Sequence, residues 1–208
     1  MINFNELTAE ISGFNKKYEG TKLETPEELN AYTTDADAII KKYPNPDGEA
    51  RKTLGKFCSH LGCWVTVFGQ ELEKGVWYYH KSIELDPESY DIRWEYYTTL
   101  EEIVEDEEYR TPELVQDAID CLNFCIDYCD TPQLREEHYL HYRYNDLGRV
   151  YMAVGDHKKA RWCFKKSLAI LPNDNARKLL KAVEQKSGRS VGGFFGRVFS
   201  FFRRERTR

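Results

Sequence analysis

Three cysteines recur every fourth residue, Cys121, Cys125 and Cys129, in a chain of 208 residues with six cysteines in all. That interval lays all three thiols along one stripe of a helix. As zinc ligands the outer two would stand about 12 Å apart along the axis, too far for one tetrahedral ion. They read instead as small apolar groups where helices approach closely. Cys58, His60 and Cys63 are more compact, with Cys163 available from elsewhere as a fourth ligand, yet packing on one helix accounts for Cys58 and Cys63 equally well. His138 and His141 lie one turn apart beside Glu136, Glu137, Tyr139 and Tyr142, and read as a histidine pair on a solvated face. The run Glu101 to Glu108 concentrates six carboxylates but lacks the glycine and alternating oxygen ligands of a calcium loop. It reads as a solvated face, or as half of an electrostatic contact with a basic partner. No phosphate-cradling glycine loop, nucleophile elbow or metalloprotease helix occurs in the sequence. We therefore expect no catalytic residue, no metal and no cofactor.

The elements that must carry these residues are helical hairpins. Tyr144, Leu147, Gly148 and Tyr151 fall on one face at three- and four-residue spacing, with Gly148 leaving room for a partner helix. Gly155-Asp156 supplies a turn. Ala160, Phe164 and Ser167 then recur at helical spacing until Pro172, which cannot continue the hydrogen-bond ladder. An imperfect copy lies upstream: Leu61-Gly62 and Gly69 repeat the interval of Leu147-Gly148 and Gly155, and Gly75, Tyr79, Ser82, Leu85 and Pro87 repeat that of Ala160, Phe164, Ser167, Ile170 and Pro172. One extra residue, placed near Leu72 to Lys74, reconciles the two halves. Between the copies, Trp94, Tyr97 and Ile103 mark a first helix and Ala118, Leu122 and Cys125 a second, joined by a long link from Glu105 to Pro112. At the front, Phe4, Leu7, Thr8 and Ile11 share the first-helix offsets, and Pro26 to Tyr43 supplies the matching second helix. The hairpins thus fall at about 3–43, 55–87, 89–130 and 135–172, with an amphipathic capping helix at 175–186 built on Leu179, Leu180 and Val183. The repeat domain is 1–186 and the tail 187–208.

These spacings resemble the tetratricopeptide repeat (TPR) family, whose unit is a helix-turn-helix of about 34 residues. The resemblance implies an all-α, right-handed helical-hairpin solenoid with a C-terminal capping helix. It also implies a scaffold that holds a protein or peptide partner in the groove lined by each repeat's first helix, rather than an enzyme. The residues expected to line that groove, because they project from first helices away from the packed Leu-Gly-aromatic face, are Trp94, Glu95, Glu102, Tyr142, Asn145, Arg149 and Met152. In the subgroup that grips a chaperone's terminal carboxylate the groove is basic. Asn145 and Arg149 fit such a clamp, but Ser59, Cys63 and above all Glu95 do not. A partner with a basic segment fits better.

Residues 189 to 208 hold six arginines against one glutamate, which leaves 24 lysines and arginines against 34 carboxylates in the rest of the chain. An acidic body carries a basic tail. Within that tail Phe194, Phe195, Val198, Phe199, Phe201 and Phe202 form a broad apolar face beside Arg197, Arg203 and Arg204. This is the composition of an interfacial helix on an anionic membrane. The alternatives are a tail packed on the chain's own groove or on a partner's, and a scaffold that self-associates into a homo-oligomer. Nucleic acid is not expected, because the arginines bunch at one end of an acidic body. With no signal peptide and no long uncharged apolar run, the expected location is cytoplasmic, peripheral at the inner membrane face where the tail engages.

Overall fold

The computed structural model describes residues 4–131 and 139–187. The described elements are nine helices: α1 Phe4–Lys17, α2 Pro26–Lys42, α3 Gly48–Val67, α4 Leu72–Leu85, α5 Tyr90–Glu105, α6 Pro112–Cys129, α7 Tyr139–Ala153, α8 His157–Ile170 and α9 Asp174–Ser187. The helix starts are written in local chemistry. Thr25 caps α2 in a reciprocal box with Glu28, and Pro26 sits where a missing N–H costs nothing. At α6 Thr111 again accepts from the amide three residues on, that of Leu114, and Pro112 again takes the first position, here without the reciprocal carboxylate. Ser89 caps α5 and Asp156 caps α8, while Asn173 Oδ1 accepts from Ala176 N at 2.7 Å to start α9.

The internal repeat is carried by two close approaches. A Cβ on Gly62 would lie 2.7 Å from the Tyr79 ring, and one on Gly148 would lie 2.5 Å from the Phe164 ring. In each hairpin an aromatic ring of the second helix lies flat on a glycine of the first, and both rings are fully buried. The buried hydroxyls of Ser82 and Ser167 occupy the next equivalent position. The extra residue of the upstream copy lies in the four-residue turn 68–71, against three residues at 154–156. It is not at Leu72 to Lys74, which already belong to α4. The turn also moves its left-handed residue from a glycine to Gln70, at φ 55°, where the later hairpin uses Gly155 at φ 79°.

The hairpins stack into one row. Successive first helices approach backbone to backbone, α1 on α3, α3 on α5 and α5 on α7. Second helices reach one another through long side chains, as Tyr78 of α4 does to Asp37 of α2 and His80 of α4 to Asp117 of α6. That difference puts the first helices on the inside of the curve. A front core gathers Leu7, Phe14, Tyr32, Leu54, Phe57 and Leu61, and a central core gathers Tyr79, Tyr97, Leu100, Leu122, Leu147 and Cys163. A third cluster, Met152, Ala160, Phe164, Leu179 and Val183, seals α7 and α8 under α9. Helix α3 starts at Gly48, well before position 55, because Ala50 and Leu54 extend its apolar stripe into the front core.

All six cysteines are free thiols. Burial pushes Cys121 and Cys125 up to about 12, so both stay protonated and pack as apolar groups. His141 departs from the expected solvated pair. It is 1% exposed, its ring 3.9 Å from that of Tyr142, because α7 turns this position into the stack. His138 lies outside the described residues, as do the tail positions Phe194, Phe195, Arg197, Val198, Phe199, Phe201, Phe202, Arg203 and Arg204.

Candidate functional site

The inner face where α5 meets α7 holds a connected polar network. Arg149 of α7 reaches across to two carboxylates one turn apart on α5, pairing with Glu101 and, at 2.5 Å, with Glu105. Burial opposes the charge on Arg149, but Glu105 and Glu101 more than offset it and hold the guanidinium firmly protonated. On Glu105 the balance runs the other way: burial lifts its carboxyl above the usual range, against the pull of Arg149. Arg143, two turns earlier on α7, lies flat over the Trp94 indole at 3.2 Å from the ring centroid and pairs with Asp146 at 3.1 Å. On the α3 side, Ser59 Oγ donates to Glu95 Oε2 at 2.6 Å, and Tyr79 OH meets Thr99 Oγ1 at 2.7 Å. The six-residue link before α6 is tied into the same region: Arg110 donates to the Ala153 carbonyl at 2.6 Å, where α7 ends.

The seven expected groove residues separate into three groups. Trp94, Glu95 and Arg149 are half-buried and part of this network, while Glu102 and Tyr142 stand exposed at its edge. Asn145 is 3% exposed and donates to Asn173 Oδ1 at 3.4 Å, bracing the link into α9 rather than an open surface. Met152 is 4% exposed in the cluster with Phe164, Leu179 and Val183. It lies one turn beyond Gly148 on the stripe that meets α8, so it does not project into the groove. Sequence spacing missed Arg143 and the inward half of the acidic run. Glu101 and Glu105 turn onto Arg149, whereas Glu102, Asp106, Glu107 and Glu108 remain exposed. The four-residue interval from Glu101 to Glu105, set opposite the arginines of the next first helix, was the available signal.

On the opposite side a cleft of about 360 Å³ opens between α4, α5 and α6, lined by His80, Ile83, Glu84, Arg93, Tyr96, Asp117, Asp120 and Cys121. Asp117 Oδ2 accepts from Tyr96 OH at 2.6 Å and meets His80 Nε2 at 2.8 Å. The hydrogen bond to Asp117 raises His80 above its ordinary value. The thiol at this cleft is Cys121, pushed up to about 12 by burial, and so is no nucleophile near neutral pH. The trio works as a clamp between neighbouring second helices.

No protein-family model and no curated protein matches the chain. Several solved structures are similar, two of them as follows. The N-terminal domain of stress-induced protein-1 (STI-1) from C.elegans is 18% identical, with 65% of this chain and 98% of that one covered and a TM-score of 0.49. The MamA protein is 20% identical, with 88% of this chain and 84% of that one covered and a TM-score of 0.52. The hairpin row, the paired glycine–aromatic approaches and the match along most of the MamA chain converge on one architecture: this chain has the all-α, tetratricopeptide-like solenoid fold.

Proposed function

We propose that the chain is a non-enzymatic adaptor that holds a basic protein segment against the inner face of α5 and α7. The observation that carries this is the charge of that face. Glu95, Glu101, Glu102, Glu105 and Asp146 outnumber Arg143 and Arg149, and Trp94 and Tyr142 supply flat apolar area beside them. A segment with spaced lysines or arginines gains there, and an acidic one is repelled. Arg149 is already engaged by two carboxylates of its own chain, so it organises the face instead of clamping a partner's carboxylate.

The tail completes the reading. Its arginines and phenylalanines attach the adaptor to an anionic membrane, placing it peripherally on the cytoplasmic face. A second reading follows from charge complementarity: the basic tail, of this chain or of a second copy, occupies the acidic face, giving an autoinhibited or self-associated scaffold.

Fluorescence anisotropy tests the groove with three labelled peptides of equal length, one basic, one neutral and one acidic. The basic peptide is expected to bind, with affinity falling about tenfold or more in Glu102→Lys/Tyr142→Ala, two exposed positions outside the ion-pair network. Equal binding of the acidic peptide, or an unaltered affinity in the variant, refutes the assignment.

A further inference from the structure

The last two helices carry charge of the opposite sign to the body. Residues 157–187 hold nine lysines and arginines against Asp174 and Glu184 alone. Helix α8 buries Ala160, Cys163, Phe164 and Ser167 and turns Lys158, Arg161, Trp162, Lys165 and Lys166 to solvent. Trp162 is 52% exposed in the middle of that face. Its ring stands edge-on to Tyr144 of α7, centroids 5.7 Å apart, and Lys166 Nζ lies 5.4 Å from its centroid. Arg161 Nε bridges to Glu184 of α9 at 3.2 Å. The short link 171–173 returns α9 antiparallel to α8, so one turn along from that bridge Lys165 runs beside the turn of α9 that carries Lys181. Among the described residues, Lys158, Lys165, Lys178 and Lys181 make no ion pair, so four uncompensated ammonium groups gather on these two helices.

We propose that this outward face of α8, with the cationic row of α9, is a docking surface for an anionic lipid bilayer. The unpaired ammonium groups meet headgroup phosphates and carboxylates, and Trp162 seats its amphipathic indole at the headgroup boundary. Lysines around a single exposed indole suit a headgroup layer. A nucleic-acid strand would need a basic groove with several stacking platforms, which this helix face lacks. The face also leads through α9 directly into the tail of residues 188–208, so two weak contacts act on one surface, and two signals are what stable attachment takes. The proposal deepens the membrane part of the reading above and rests on it for the tail's contribution.

The test is co-sedimentation of the full chain with phosphatidylcholine vesicles, and with vesicles also containing phosphatidylserine, at low and high salt. Three variants separate the contributions: Lys158→Glu/Lys165→Glu, Trp162→Ala, and Phe195→Asp/Phe199→Asp in the tail. All change residues exposed on α8 or beyond α9, and circular dichroism checks that helicity is kept. The charge reversal is expected to weaken binding to anionic vesicles at low salt by about tenfold or more, and Trp162→Ala by about threefold or more at either salt. Wild-type binding by the charge reversal overturns the α8 surface, and if the tail variant alone loses binding, the tail reading stands without it. Loss in the charge reversal with none in the tail variant does the converse. A full chain that ignores anionic vesicles, or that instead retains a single-stranded oligonucleotide or forms larger assemblies through the same lysines, refutes the lipid assignment.

Discussion

Substituting Gly148 by alanine tests the close approach on which the repeat is built. An ideal Cβ there would lie 2.5, 2.8 and 2.9 Å from three atoms of the Phe164 ring, against an ordinary contact of about 3.4 to 4 Å. Either the ring or α8 must therefore retreat by about 1 Å. The ring has nowhere to go, being fully buried under Met152, Ala160, Leu179 and Val183. Overpacking of this kind costs about 1 to 3 kcal/mol, and three contacts on a sealed ring place it in the upper half of that range. Alanine returns about 1 kcal/mol of helix propensity. The net expectation is destabilisation by about 1 to 2 kcal/mol, or roughly 2 to 8 °C in Tm for a domain of this size. Gly13→Ala is the internal control: it lies within α1, and a Cβ there meets nothing within 4 Å. Propensity alone should stabilise that variant by about 0.5 to 1 kcal/mol. Urea denaturation followed by circular dichroism reads both. If Gly148→Ala is as stable as wild type, or if both variants shift in the same direction, the glycine–aromatic packing argument fails.

Arg149→Ala should destabilise the chain by about 1 to 3 kcal/mol, because it leaves Glu101 and Glu105 facing each other in a part-buried site. Glu105 is already raised by burial, so its ionised form is the disfavoured one; the deficit is present at neutral pH and should narrow as acidification protonates it, measured as denaturation midpoints across pH. The His80–Asp117 clamp has the opposite sense. A histidine raised by its partner contributes fully below its unfolded value of about 6.5, and the contribution is lost as pH rises through the folded value. With the imidazole half exposed, His80→Gln should cost less than about 1 kcal/mol at mildly acidic pH, where His80 is charged and Asp117 still ionised, and less again at high pH. Alkylation of the native chain should modify the half-buried Cys63 first, with Cys58, Cys121, Cys125 and Cys163, each pushed up to about 12, reacting only on unfolding; peptide mass spectrometry ranks them.

The hairpins were legible in the sequence because their determinants are local. Glycine against aromatic sets the helix approach, threonine followed by proline starts α2 and α6, and small residues recur where second helices dock. The inner face was legible only as a stripe. Trp94, Glu95 and Glu102 follow from helical offset on α5, but whether Arg149 meets a partner or its own chain depends on how far α7 stands from α5. No single-helix pattern encodes that distance. Met152 shows the complementary error. Its offset from Gly148 puts it on the packed side of α7, and α9, which no internal repeat possesses, closes over it. His141 is buried for a similar reason, through helix-to-helix stacking rather than through the polar residues beside it in sequence.

If partners are held on the inner face of α5 and α7, a photo-crosslinking amino acid placed at Glu102 will capture them and one placed, in a second chain, at Gln116 on α6 will not. Both sites are exposed, one at the edge of the proposed groove and one on the second-helix side. An adduct is expected from position 102 and little from 116, with the crosslink mapping to a lysine- or arginine-rich segment of the captured protein. Equal capture at both positions, or an adduct from 116 alone, would contradict it.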